Sequence, residues 1–197
     1  MAISPSSLDI WLAQFLAGFL ARHPLFDQFV QSGIRHNVLG GFVYAAALFV
    51  LWVQVRRDGR SAIRVRLLTT IAGSVLTILL TMLAGLLLAW PPPCQQLQAA
   101  RLFPWYMECN SNPSCFPSQS TSLYGSVAAG VISLHRIVGA LLWLGVPILV
   151  SLPRMYVGGH YFTDVAVGVM LSLAGYGVAR LLLERPVISR LDVWIHD

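Results

Sequence analysis

The chain contains no lysine. All thirteen of its basic side chains are arginine, only eight residues are acidic, and charged residues make up 11% of its 197 positions. Soluble domains carry about a quarter charged residues. That deficit, set beside a hydrophobic content of 56% gathered into long runs, excludes an ordinary water-soluble domain and points to a polytopic membrane protein. Carboxylates are so sparse that Asp164 is the only one between Glu108 and Glu184. One carboxylate is too few for a magnesium or calcium cage. Cysteine is scarce too: Cys94, Cys109 and Cys115 are the whole set, at spacings that match no zinc pattern. No metal and no cofactor is therefore expected. The N-terminal apolar segment lacks a basic start and a small-residue cleavage site, so no signal peptide is expected. There is no internal repeat and no separable soluble region.

The net charge of +5 is unevenly placed. Five arginines crowd into RRDGRSAIRVR between two apolar runs (Arg56, Arg57, Arg60, Arg64, Arg66). That is the pattern of a cytoplasmic loop, not of a nucleic-acid surface, since no aromatic interleaving or binding motif accompanies it. The expected fold is an all-α polytopic membrane bundle, one domain over 1–197. Its six spans fall at 8–21, 38–55, 67–90, 123–134, 137–152 and 162–183. The first is short enough to tilt or to lie partly in the interface. WPPPC ends the third, because proline cannot continue a helix. Nine arginines fall on the side of the 56–66 loop, Arg136 and the tail. The richer side is cytoplasmic, so the loops at 91–122 and 153–161 both face outward, toward each other. An outward loop permits disulfides. Cys109 and Cys115 flank a five-residue turn and form one candidate pair. Cys94 with either of the others also fits the sequence, as do three free thiols.

The segment SLPRMYVGGHYFTDVAVG concentrates chemistry at the mouth of an apolar run. Asp164 follows His160 by four residues, which share a face on a helix. The carboxylate can accept a hydrogen bond from one ring nitrogen, fix the tautomer and leave the other nitrogen as a nucleophile. Arg154 offers a planar fork suited to phosphate oxygens. In the other outward loop, Pro117 and the run Ser118-Gln119-Ser120-Thr121-Ser122 read as the capped start of a helix. Such a start is a ready anion site.

The stretches FPSQSTSLYGSVAAG and PRMYVGGHYFTDVAVG resemble motifs two and three of the type-2 phosphatidic acid phosphatase superfamily, which also contains the vanadium haloperoxidases. The six-span plan is similar to that of its bacterial members. The resemblance implies that His160 attacks phosphorus to form a phosphohistidine, that Asp164 orients it and that Arg154 binds phosphate. Ser118, Gln119 and Ser120 occupy the motif-two positions, where the family has Ser-Gly-His. Arg101 is the best match to the motif-one arginine. The motif-one lysine is absent, since position 94 is Cys and the chain has no lysine.

Ser120 stands where the family keeps the histidine that protonates the leaving oxygen. A lipid alcohol needs that proton. A lipid monophosphate leaving from a diphosphate needs it far less, because its second pKa is about 6. The expected activity is therefore hydrolysis or transfer at a polyprenyl (undecaprenyl-type) diphosphate or related lipid phosphate, at the outer face of a bacterial inner membrane. The alternative is a degenerate relative that binds a lipid phosphate or a partner protein without turnover. His23 or His36 could replace the missing acid. His135 could not, being fifteen residues up a helix that rises ~1.5 Å per residue.

Overall fold

The computed structural model describes residues 5–19, 22–35, 38–58, 61–96 and 114–184. Among these every regular element is helical. In chain order they are α1 (Ser7–Ala17), α2 (Pro24–Arg35), α3 (Val38–Asp58), α4 (Ser61–Leu87), the single turn α5 (Pro93–Gln96), α6 (Gln119–Leu134), α7 (Arg136–Gly145), α8 (Leu152–Tyr156) and α9 (Phe162–Ala179). A π-helical stretch, Val146–Ser151, joins α7 to α8, and another, Arg180–Glu184, extends α9. The first contains Pro147, whose ring denies the helix an N–H; a widened turn absorbs the loss.

Among the described residues three helical segments are long and apolar enough to cross a membrane: Ile63–Leu87, Arg136–Tyr156 and Phe162–Leu183. Ser7–Ala17 and Gly41–Val53 are shorter apolar helices. The expected span at 137–152 runs on to Tyr156, which moves Arg154 from a loop onto the last turn of a helix. Helix α6 is the exception to the outward-facing pattern. It has 16 residues, of which nine are buried, and it packs against α4, α7 and α9.

The bundle is inside-out relative to a soluble protein. Its interior holds Thr69, Thr70, Thr77, Thr81, Thr121, Ser122, Ser126 and Ser172, while Leu68, Leu86, Leu87, Ile137, Leu141 and Ile148 are exposed. Lipid tails are as apolar as leucine, so helices in a bilayer associate through close packing and hydrogen bonds between small residues. Some interior hydroxyls bond to their own helices: Thr70 donates to Arg66 O, Ser74 to Thr70 O and Thr81 to Thr77 O, whereas those of Thr69, Thr77 and Ser126 have no partner among the described residues. Small residues let the backbones approach. A Cβ on Gly130 would run into Thr70, and one on Gly175 into Thr77. These contacts fix α6 and α9 against α4.

His135 separates two antiparallel helices, as its interruption of the apolar run suggested. It ends α6 and caps α7, with extended backbone (φ −147°) and its Nδ1 accepting the Val138 N–H. The hairpin is tight enough that Gly139 faces the backbone of Ile132. Since α4 runs opposite to α6, and α9 runs alongside α6, the end of α4 and the starts of α6 and α9 meet at one end of the bundle.

Candidate active site

The loop from Val157 to Tyr161 carries His160 into that end. Gly158 makes its turn at φ +75°, a left-handed conformation that side chains resist. Its carbonyl accepts the Cys94 N–H at 2.9 Å, and a Cβ there would press on Cys94. The loop is thus clamped to the segment that follows α4. Tyr161 is the N-cap of α9, so His160 lies before the helix and not on it. The helical i,i+4 argument therefore paired His160 with Asp164 for the wrong reason. The two are neighbours because the chain turns there.

The hydrogen bonds correct the expected orienting role. His160 Nδ1 lies 2.9 Å from the Cys115 carbonyl oxygen, and 3.7 Å from Asp164 Oδ2. A carbonyl can only accept, so Nδ1 bears the proton and donates to Cys115. That leaves Nε2 with the lone pair when the ring is neutral. Nε2 is buried and has no hydrogen-bond partner among the described residues. Asp164 is fully buried and is held by others: Trp90 Nε1 donates to Oδ1 at 3.0 Å, and the Tyr161 N–H donates to Oδ2 at 2.7 Å. It stands close enough to the ring to stabilise positive charge there without making the direct bond.

A cavity of about 370 Å³ opens beside the imidazole. It is bordered by Arg154, Gly159 and His160 from one segment, and by Ser114, Cys115, Gln119 and Ser120 from the other. The two sequence stretches thus share one cavity. They are also joined by backbone, since the Ser118 N–H donates to the Asp164 carbonyl at 3.1 Å. Arg154 is half-buried at the cavity wall. Gln119 and Ser120 are the first two residues of α6, so the helix start borders the same space.

Ser118 departs from expectation. It is the N-cap of α6, yet its hydroxyl makes no capping bond. That hydroxyl is fully buried and bonds Thr121 Oγ1 at 2.9 Å, which in turn meets Ser151 Oγ at 3.0 Å. With its N–H committed to Asp164, Ser118 ties α6 to its neighbours and does not border the cavity. Arg101 and His36 lie outside the described residues. His23 is exposed, with its ring against Phe19, and does not border the cavity.

The cysteines are also corrected. Cys94 is disulfide-bonded, while Cys115 is a free, buried thiol, so Cys109 and Cys115 are not a pair. Cys109 itself lies outside the described residues. The two cysteines were matched on loop spacing, but Cys115 sits under the cavity, with its N–H on the Trp90 carbonyl. Burial, then the nearby Asp164 charge, push its thiol far above the ordinary range. Burial, then the neighbouring Cys115, Asp164 and Asp9, push Tyr161 up to about 12. Ligand-type atoms of Cys115, His160 and Asp164 lie within 4.8 Å of one another. Both carboxylate oxygens of Asp164 and Nδ1 of His160 are already committed to bonds within the protein. The cluster does not fit a metal as it stands.

Sequence reasoning missed Trp90 and the Cys115 carbonyl. Trp90 read only as the end of a span. A signal was present: a buried carboxylate needs donors, and an indole N–H beside the WPPPC break was one of the few nearby. No side-chain pattern could announce a carbonyl.

Residues 63–186 match the PAP2 superfamily. Searches of curated proteins and of solved structures returned no significant match.

Proposed function

Since the chain belongs to the PAP2 superfamily, we propose that it is a membrane lipid phosphatase or phosphotransferase whose nucleophile is His160 and whose preferred substrate is a polyprenyl diphosphate. The observation that carries this reading is the state of the imidazole. Nδ1 is committed to a carbonyl, and Nε2 is left with its lone pair at the edge of a cavity that Arg154 and the start of α6 also border.

In the first step Nε2 attacks the terminal phosphorus. The N–P bond forms, the bridging P–O bond breaks, and the lipid monophosphate leaves with the bond pair. The ring becomes positive, and the buried Asp164 carboxylate 3.7 Å from Nδ1 stabilises it. Arg154 and the first N–H groups of α6 hold the equatorial oxygens, so catalysis rests on positioning and charge. Water, or an acceptor hydroxyl, then attacks the phosphohistidine, releasing the phosphoryl group and restoring the ring. Arg101 is proposed as a further phosphate ligand. Nε2 is shielded in the resting structure, so a phosphoryl group must displace part of the cavity wall before it can approach in line.

The diphosphate preference is supported by what borders the cavity. Among the described lining residues there is no second imidazole and no carboxyl group. No general acid is at hand for an alcohol leaving group, whereas a monophosphate leaves without one. We propose further that the chain spans a bacterial inner membrane six times, with this cavity toward the periplasm, as the arginine distribution supports. The degenerate-binder reading is favoured by Ser120 in place of the motif-two histidine and by the missing motif-one lysine, but an oriented nucleophile is of no use to a binder.

The test is phosphate release from a panel of lipid mono- and diphosphates by the wild type and by His160→Ala. Release is expected to be fastest from diphosphates and to fall at least about 1,000-fold in the variant. A trapped phosphohistidine should accompany turnover. Undiminished release by His160→Ala would remove the mechanism. Binding without release by the wild type would establish the binder.

A further inference from the structure

The first two helices, α1 and α2, lie outside the residues that match the PAP2 superfamily, 63–186. Helix α1 buries only two of its residues, Asp9 and Ala13. The carboxylate of Asp9 is 1% exposed and reaches across to the start of α9. Its Oδ1 accepts the Thr163 N–H at 2.9 Å, and its Oδ2 accepts the Thr163 hydroxyl. Oδ2 also accepts the N–H and the hydroxyl of Ser6, the N-cap of α1. The carboxylate thus has four donors, two at the start of each helix.

Docking a helix does not by itself explain this choice of side chain. Burying a charge carries a desolvation cost that an apolar contact would not incur. What a carboxylate adds is direction, and here it directs the first turn of α9. That turn contains Asp164, and its N-cap, Tyr161, follows His160. A helix start leaves its first N–H groups without intrahelical partners. Asp164 takes the Tyr161 N–H and Asp9 takes the Thr163 N–H. Two carboxylates, one inside the turn and one from another helix, therefore fix the backbone that carries the imidazole and its charge partner. Helix α2 holds the other end of the same segment. The Tyr156 hydroxyl, two residues after Arg154, donates to Asp27 Oδ1 at 2.6 Å. Ala13 packs in one cluster with Trp90, Cys115, Phe116 and Tyr161. That cluster includes the indole that bonds Asp164 and the residue whose carbonyl holds Nδ1. Asp9 is not among the residues bordering the cavity, so its influence runs through the turn and not through contact with a phosphate.

We propose that Asp9 is a positioning residue, which through Thr163 holds the Tyr161–Asp164 turn so that His160 Nδ1 stays on the Cys115 carbonyl and Nε2 keeps its lone pair. Its effect on rate rests on the reading of His160 as the nucleophile; its effect on the ring does not.

The test compares Asp9→Ala, Thr163→Val and Thr163→Ser in the full chain in detergent. Valine keeps the shape of threonine without the hydroxyl, and serine keeps the hydroxyl. Two quantities are read. One is steady-state phosphate release from a polyprenyl diphosphate. The other is the tautomer of the neutral His160 ring, by nitrogen NMR of histidine-labelled protein, with the signal assigned by its loss in His160→Ala. Wild type is expected to show the Nδ1–H form alone. Asp9→Ala should lower kcat about 30-fold with KM within about twofold, and should show both tautomers. Thr163→Val, the milder change, should lower kcat about tenfold with the same mixing, and Thr163→Ser should stay within about threefold of wild type. Lower thermal stability in Thr163→Val with kcat and tautomer unchanged would make Asp9 a tie for the fold alone and overturn the proposal. A rise in KM with kcat held would overturn it too, by assigning the contact to substrate binding. If wild type releases no phosphate, the proposed reaction fails, and the ring still decides the role of Asp9: mixed tautomers in Thr163→Val support it, and a single form shared with wild type overturns it.

Discussion

The two ends of the bundle handle polar groups in opposite ways. At the His160 end, one imidazole, one carboxylate and one arginine are placed by a web of backbone bonds: Cys115 O on Nδ1, Tyr161 N–H on Asp164, Ser118 N–H on the Asp164 carbonyl. At the other end three arginines, Arg66, Arg136 and Arg180, border a cavity, and Arg66 donates to the Ser133 carbonyl. Direction is built at one end and charge is gathered at the other. A nucleophile needs an aimed lone pair, whereas arginines that set membrane orientation need only their charge. The contrast predicts that the first end is sensitive to loss of geometry and the second to loss of charge.

The largest effect that would test this is at Arg154. It is the one described arginine bordering the His160 cavity. Arg154→Gln should lower kcat/KM about 1,000-fold on a lipid diphosphate, and Arg154→Lys should recover little, because a point charge cannot replace the fork. Full rescue by lysine would mean that this end, too, needs only charge. Next is Asp164→Asn. The amide can keep one accepting oxygen but carries no charge, so the positive ring formed on attack loses its stabiliser. A fall of about 100-fold in kcat with little change in KM is expected, measured by steady-state kinetics.

A smaller effect is expected at Trp90. Trp90→Phe keeps the apolar ring beside Phe116, whose centroid is 4.2 Å away, but removes the donor to Asp164 Oδ1. A buried carboxylate short of one bond costs about 1–3 kcal/mol. Thermal unfolding should register that cost, and kcat should fall about tenfold with KM held. Unchanged kcat in a destabilised variant would reduce Trp90 to packing.

These residues also show what a single sequence can carry. His160, Asp164 and Arg154 were legible because ionisable groups are rare in so apolar a chain, and their spacing matched a family. The helical character and the membrane setting were legible from runs of leucine and a shortage of charge. The buried hydroxyl stripe on α6 was not separated from an ordinary span: Ser122, Ser126 and Gly130 recur every four residues, but apolar content alone does not tell a central helix from a lipid-facing one. Ser118 was misjudged because a capping residue and a core tie use the same hydroxyl. The Cys115 carbonyl had no signal, since every residue has one.

Cys94 and Cys115 flank the same site and have opposite fates, the one oxidised and the other a buried thiol beside Asp164. The raised pKa of Cys115 gives this difference a measurable sign. In the unfolded chain the thiol ionises near pH 8.5, while in the folded chain burial and Asp164 keep it protonated well beyond that. A group whose folded pKa is raised contributes fully below its unfolded value, and the contribution is lost as pH rises above it. Between pH 8 and 9.5 the folded state should therefore lose stability more steeply in the wild type than in Cys115→Ala, as read by unfolding at each pH. Over the same range iodoacetamide should label Cys115 at least about 100-fold more slowly in the folded than in the unfolded chain, because the thiolate is the reactive species. Rapid labelling of the folded protein would mean that the floor of the His160 cavity opens to water, and that the carbonyl holding His160 is not held in its turn.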